Sequence, residues 1–288
     1  MAIKRYTADA DNTITNAYKQ NLTTRGTGSN MGESDVLEVF SIYAQESSSS
    51  SELSRVLISF PVTGTSAGYI SYDRTQGDIP ASGSVSFYLR MFNARHISTT
   101  PENFDLVVSA ITRSWNEGVG LDMEDYSDED SSNWINAERS SSAATPYEWG
   151  AQGGDWYTDS SSSFTASFTT GFEDMELDVT PLVEQWIDSS GNVLGSKSNY
   201  GFMVRLSSSL EDGTTSYYTK KFFARGSEFF FKRPIIEARW DSSKKDDRGS
   251  FYYSSSLAPA EDNLNTIYFY NFARGQLRNI PNLSLIHI

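Results

Sequence analysis

The chain has 288 residues, a formal charge of −14 and no cysteine. That length allows one large domain with a substantial core, or one domain and part of another, while the lack of cysteine excludes a disulfide framework and a thiolate metal site. No run approaches the roughly eighteen apolar residues of a membrane span, and no basic cluster exists beyond pairs such as Lys220-Lys221 and Lys244-Lys245, which argues against a nucleic-acid surface.

Aromatic residues make up 14% of the chain. With abundant Ser, Thr and Asn and no long charged helical stretches, this predicts an all-β protein rich in loops. The opening MAIKRYTADAD has no apolar signal-peptide stretch and predicts a chain made without export.

In chain order, Tyr6–Ile14 starts a strand, and Thr23–Gly32 is a glycine-rich loop lacking the GK[ST] ending and following helix of a phosphate cradle. Val36–Tyr43 and Leu53–Phe60 are strands that pair across the serine run Ser47–Ser51. Gly83–Phe92 is a strand with Val85, Phe87, Leu89 and Met91 on one face, and Phe104–Ile111 is another. From Trp115 to Phe164 regular periodicity fades, yet four of the six tryptophans lie there. An irregular stretch of that length inside a domain points to a functional or well-packed loop.

Phe164–Phe168 returns to strand character, and Met175–Val179 alternates apolar and polar residues. Thr180 is placed to cap a helix and Pro181 suits its first turn. Leu182, Val183 and Trp186 form one apolar face of that short helix, which requires a larger surface to bury it. Tyr200–Leu206, Tyr217–Ala224 and Pro234–Trp240 complete the strands. The expected fold is an antiparallel β-sandwich of jelly-roll type over 1–241 with one short helix. A charged, apolar-free linker at 242–249 then leads into the first strands of a second β domain at 250–288, including Ile267–Phe272 and Gln276–Ile280. That domain reads as incomplete, and Leu283–Ile288 reads as a translated sequencing adaptor.

The tryptophan segment has the composition of a sugar-binding platform, since aromatic faces stack on pyranose C–H faces while carboxylates and amides bind hydroxyls. The residues to test are Trp134, Trp149, Trp156 and Tyr157, with Asn133, Glu148 and Asp155 beside them. The competing role is packing of the loop onto the sandwich, most of all for Trp115 and Trp149. Seven carboxylates lie between Glu117 and Asp130. Asp122, Glu124, Asp128 and Asp130 have a spacing loosely suited to Ca²⁺, although the glycine of an EF-hand loop is missing and a solvated acidic loop is the alternative.

For catalysis, His96 has no nucleophile motif around it. Glu173, Asp174 and Glu176 offer the paired carboxylates of a glycosidase only on one short stretch. Arg55 and Arg205 interrupt apolar strands and are expected at a sheet edge, or partly buried beside an acid such as Asp178. An enzyme is therefore not expected.

Taken in order, Asp11–Met31, Ser54–Phe60, Trp115-Asn116-Glu117, Thr145–Trp149, Asp178-Val179-Thr180 with Trp186, Asn199–Phe202 and Arg233-Pro234 resemble the DNRLRE family of carbohydrate-binding-module-like β-sandwiches. TITNAYKQNLTTRGTGSNMGESDVLEVFSIYAQ, YYTKKFFARGSEFFFKRPIIEARWD and LNTIYFYNFARGQLRNIP resemble structural proteins of marine tailed bacteriophages. The resemblance implies a virion component (tail, fibre, baseplate or capsid surface) with an adhesion module. Its partners would be other virion proteins and a host surface glycan, without nucleic acid or membrane insertion. Fibre proteins are commonly trimeric, but no heptad or repeat demands a homo-oligomer. Two alternatives stay open: a secreted or cell-surface carbohydrate-binding module of a polysaccharide-degrading system, and a glycan-cleaving enzyme.

Overall fold

The structure, a computed structural model, describes residues 2–96, 101–123, 131–138, 147–188, 197–243, 269, 271–273 and 276–278. The chain divides into two units, residues 2–240 and, together with Met1, residues 241–288. The first unit runs β1 (Ala2–Thr7), β2 (Ala10–Thr15), β3 (Val36–Tyr43), β4 (Ser51–Ser59), α1 (Ile70–Gln76), β5 (Val85–Met91) and β6 (Phe104–Ala110). It continues with β7 (Asn136–Glu138), β8 (Tyr147–Glu148), β9 (Ser163–Phe168), β10 (Met175–Asp178), α2 (Thr180–Ile187), β11 (Phe202–Leu206), α3 (Ser208–Glu211), β12 (Tyr217–Phe223) and β13 (Ile235–Trp240). In the second unit β14 (Asn271–Ala273) pairs antiparallel with β15 (Gln276–Arg278).

The fold of residues 2–240 is an antiparallel β-sandwich. A four-stranded sheet in the order β1-β13-β5-β10 faces a seven-stranded sheet in the order β12-β3-β4-β11-β6-β9, with β2 added alongside β4. Alternation decides the facing. In β5, Val85, Phe87, Leu89 and Met91 are buried while the residues between them are half-buried, the period-2 pattern of a strand with one face in the core. From the large sheet, Leu37, Val39, Val56, Ile58, Leu106, Val108, Phe202, Val204 and Phe222 meet that face in one cluster. The outer face of the small sheet carries a ladder of charge instead: Glu237 bonds Arg5, Arg90 and Arg239, and Glu176 bonds Arg90 and Arg239. Glu176 is thus held between two arginines rather than facing a second carboxylate across a cleft. The two sheets also meet along one seam, where Ala94 N–H donates to Lys221 carbonyl and Phe223 N–H to Phe92 carbonyl, each at 3.0 Å.

Helix α2 closes the core as its apolar spacing predicts, burying Leu182, Val183 and Trp186. Its start differs from the expectation. Val179 holds the cap position, and the Thr180 hydroxyl instead accepts the Phe87 N–H at 2.8 Å, extending the β5 pairing into the helix. Two further helices were not legible. Helix α1 ends at Gly77, whose φ of 79° is the left-handed conformation that terminates a helix. It buries Asp73, which accepts from the Tyr6 hydroxyl at 2.7 Å and pairs with Lys4. Helix α3 is a single turn that delivers Glu211 to the middle of the large sheet.

The glycine-rich loop at 23–32 serves close packing. A Cβ on Gly32 would sit 2.5 Å from the Glu117 carbonyl, and one on Gly120 would sit 1.9 Å from that of Asn30. The two loops are then knotted through buried side chains. Asn30 donates to the Glu117 and Ser132 carbonyls, Asn12 donates to Ser132, and the Asn12 amide oxygen accepts the Met31 N–H. Glu117 leaves the acidic run to accept from the Asp11 N–H at 2.8 Å and from the Arg225 guanidinium at 2.9 and 2.6 Å.

Asp11 lies at the bottom of this knot with no exposure. Burial pushes its carboxyl up to about 7 from 3.8, with the Arg225 N–H opposing and the Glu117 charge adding to the rise. The folded state therefore binds a proton between those values that the unfolded chain has released, so stability falls as pH rises from about 4 to about 7. Asp11→Asn should flatten the slope of urea midpoint against pH between roughly 4 and 7. Parallel slopes for variant and wild type would show that Asp11 does not carry it.

Candidate functional site

Strands β4 and β11 lie side by side in the large sheet, and both are buried almost throughout instead of alternating. The cause is a second apolar cluster on the sheet's outer face, in which Ile14, Leu57 and Met203 meet Ile111, Trp134, Ala137 and Trp149. The irregular stretch after β6 is therefore a cover over that face. Gly153 and Gly154, at φ 88° and 100°, let it lie flat. A Cβ there would come within 2.5 Å of Arg55 Nη1 and 2.2 Å of Met203 Cε respectively.

Arg55 and Arg205 project into the cover and not at a sheet edge. Arg55 is paired bidentately with Glu211, Nε to Oε1 at 3.0 Å and Nη2 to Oε2 at 2.7 Å, and Nη1 donates to the Gly153 carbonyl at 2.9 Å. Its guanidinium lies 4.9 Å from both the Trp134 and Trp156 rings, and that of Arg205 lies 4.6 Å from Trp156. Arg205 Nη1 reaches the Leu206 carbonyl at 3.0 Å and sits 3.8 Å from Glu211. The acid is Glu211, not Asp178, whose Oδ1 accepts the Thr180 N–H. The error has a simple source: α3 is too short to show in the sequence, so its one buried acid could not be picked out.

The predicted platform residues are brought into one region but do different things. Trp134 and Trp149 are each 5% exposed. Trp149 Nε1 donates to the Asn133 carbonyl at 2.8 Å, and the Asn133 amide oxygen caps the turn at Ile135 and Asn136. Both rings are core, with no face left for a sugar. Trp156 is half-buried with two guanidiniums on its ring, and Tyr157 is half-buried with the Lys197 ammonium 5.1 Å from its ring. The Asp155 carboxylate accepts the Gly150 and Ala151 N–H groups at 2.7 and 2.9 Å, closing the turn beneath Trp156. Glu148 is exposed at the rim, on the short strand β8.

The open aromatic surface lies one step away. Trp115 and Tyr200, both half-buried against the second cluster, line a shallow cleft of about 150 Å³ with Ala10, Ser59, Ser114 and Asn199. Its walls are fixed. Trp115 Nε1 donates to the Tyr200 carbonyl at 2.8 Å, and Asn199 donates to the Phe60 carbonyl at 3.0 Å while accepting the Gly201 N–H. The Asn-x-Gly turn at 199–201, with Gly201 at φ 84°, was the available signal for Tyr200.

Of the Ca²⁺ candidates, Asp122 is exposed, and Glu124, Asp128 and Asp130 lie outside the described residues. Among the described residues no group of His, Asp or Glu is arranged to hold a metal ion. His96 accepts the Lys221 N–H at 3.3 Å and packs edge-on against Phe172. Burial raises the cost of ionising Glu173, but the Thr170 and Thr169 N–H groups that its Oε1 accepts outweigh this and hold it down to about 2. Neither residue has the surroundings of a general acid at neutral pH. Compared with known proteins, the chain matches no family model and no curated protein.

Proposed function

We propose that this protein is a component of a tailed-phage particle and that its sandwich domain is a glycan-adhesion module. The observation that carries the adhesion reading is the Trp115–Tyr200 cleft: a tryptophan ring fixed through its Nε1 and a half-buried tyrosine beside an exposed serine hydroxyl, sized for a single sugar ring. A pocket with an apolar wall, a few polar groups and preset geometry suits stacking against a pyranose. The particle reading rests on the resemblance set out above. It is supported by Phe229, Phe230 and Phe231, three consecutive exposed phenylalanines forming an apolar patch of the kind that marks contacts with other proteins.

Titration of the full chain against a panel of marine polysaccharide fragments should find a binder. Trp115→Ala should weaken it about tenfold or more at temperatures where the variant remains folded. Undiminished affinity in that variant would remove the cleft from the mechanism. Mass spectrometry of purified virions should find the chain among the particle proteins, and its absence there would overturn the particle assignment and leave the adhesion reading standing on the titration alone.

A further inference from the structure

Lys220 points inward from β12 and is 0% exposed. Its Nζ donates to Asn93 Oδ1 at 2.7 Å and to the carbonyls of Gly171 and Glu173 at 2.8 Å each. The rings of Phe168 and Phe222 each lie 4.9 Å from it. All three acceptors are neutral amide oxygens. Glu173 and Asp174 act on the amine as nearby charges, yet neither forms an ion pair with it, and burial outweighs them to draw its pKa down to about 8 from 10.5. An ammonium in this place is a buried charge without a counter-ion, which folded proteins normally avoid. The amine, the side-chain amide, the aromatic walls and the nearby carboxylates together make a reactive arrangement, not merely a packed one.

We propose that Lys220 and Asn93 condense to an intramolecular isopeptide bond. The unprotonated Nζ attacks Asn93 Cγ, the Nζ–Cγ bond forms, and the Cγ–Nδ2 bond breaks. Nδ2 departs as ammonia, carrying away one proton that the amine gives up. That proton passes from Nζ to Nδ2 as the tetrahedral intermediate collapses, while the Glu173 main-chain carbonyl holds Nζ in place. Asp174 fixes the other reactant, since its Oδ1 accepts the Asn93 N–H at 2.7 Å. The step needs no oxidant and no cofactor: an amine and a primary amide become a secondary amide and ammonia. The product has no charge to bury and keeps one N–H for the Gly171 or Glu173 carbonyl.

The bond would lie on the seam between the sheets, where Asn93 bridges Phe222, and would close a loop of 127 residues. A cross-link across so long a loop limits the unfolded chain in the way a disulfide does, in a protein that has no cysteine for that purpose.

The intact mass of the purified full chain tests this. The expected mass is about 17 Da below that of the sequence, the loss of one ammonia. Tandem mass spectrometry of a digest should give a branched peptide joining the Asn93 and Lys220 fragments. Lys220→Arg and Asn93→Ala should each restore the full mass expected for their sequences. A wild-type mass equal to that of the sequence overturns the proposal whether or not the variants fold. A mass loss that persists in Lys220→Arg overturns it equally, because the ammonia would then have come from elsewhere.

Discussion

Replacing Trp186 with alanine is expected to destabilise the sandwich domain by about 3–5 kcal/mol, the largest single-residue effect on its core. Trp186 is 1% exposed and among the largest fully buried side chains. Its ring meets Phe202 edge-on at 4.9 Å, and Phe202 in turn meets Phe60 at 6.0 Å. It is also what ties α2 to the sheets. A helix of eight residues does not persist in water by its own propensity, so removing its anchor loosens the whole of its roughly two turns. At roughly 2–4 °C per kcal/mol for a domain of this size, the melting temperature should drop visibly.

One detail sharpens this test. Trp186 Nε1 is buried with no partner among the described residues, and an unpaired buried donor costs about 1–3 kcal/mol. Trp186→Phe should therefore be far milder than Trp186→Ala, because it loses ring area but also removes the orphan N–H. Urea denaturation of the three proteins checks the order. An alanine variant as stable as wild type would mean that α2 is not part of the cooperative core. Glycan binding should be unchanged in both variants at temperatures where they remain folded, since Trp186 does not line the Trp115–Tyr200 cleft.

The second large effect is expected at Glu211. Glu211→Gln leaves two guanidiniums, Arg55 and Arg205, with 9% and 8% of their side chains exposed, without their shared ion-pair partner, and with only the Asp212 charge still acting on Arg205. Breaking a buried pair from one side costs about 3–5 kcal/mol, mostly because the remaining charge is still buried. Arg205 is already strained in this respect. Burial lowers its pKa, the Glu211 charge opposes that shift, and its Nε has no partner among the described residues. Arg55→Met combined with Glu211→Gln should cost clearly less than the sum of the two single changes, because it removes one of the stranded charges. Additive losses in the double variant would show that the pair contributes only through packing. Since Arg55 and Arg205 also flank Trp156, the Glu211 variant should be read by near-UV circular dichroism as well, where a loosened cover changes the tryptophan signal.

Much of the framework is legible in the sequence. β3 and β4 pair across the serine run as expected, with Ser41 opposite Leu53 and Tyr43 opposite Ser51. The β5 alternation and the apolar face of α2 needed only local periodicity, and periodicity is set by backbone geometry that holds wherever the strand lies. The sequence of Tyr6–Ile14 predicts the start of a single strand, whereas the stretch covers the end of β1 and most of β2, in different sheets. Nothing local in a nine-residue extended run marks where the chain crosses from one layer to the other. The site was less legible for the same kind of reason. Tryptophan content flagged the correct segment, but whether a ring is core or surface depends on what packs over it. Trp134 and Trp149 went inward against Ile14, Leu57 and Met203, and Trp115 stayed half-open.

The sequence alone determined the class and the inventory: an all-β chain, no cysteine, a short helix needing a partner, tryptophans concentrated in one irregular stretch, and two arginines out of place in apolar strands. These follow from composition and from short-range repeat, which the chain carries at every point. Tertiary structure alone decided that the tryptophan stretch roofs the outer face of the large sheet, that one turn of helix at 208–211 brings Glu211 to both arginines, and that Lys220 meets Asn93 across the seam. Those partners lie 156 and 127 residues apart. Contacts over such separations are fixed by how two sheets stack and by what then remains buried, which no local pattern records.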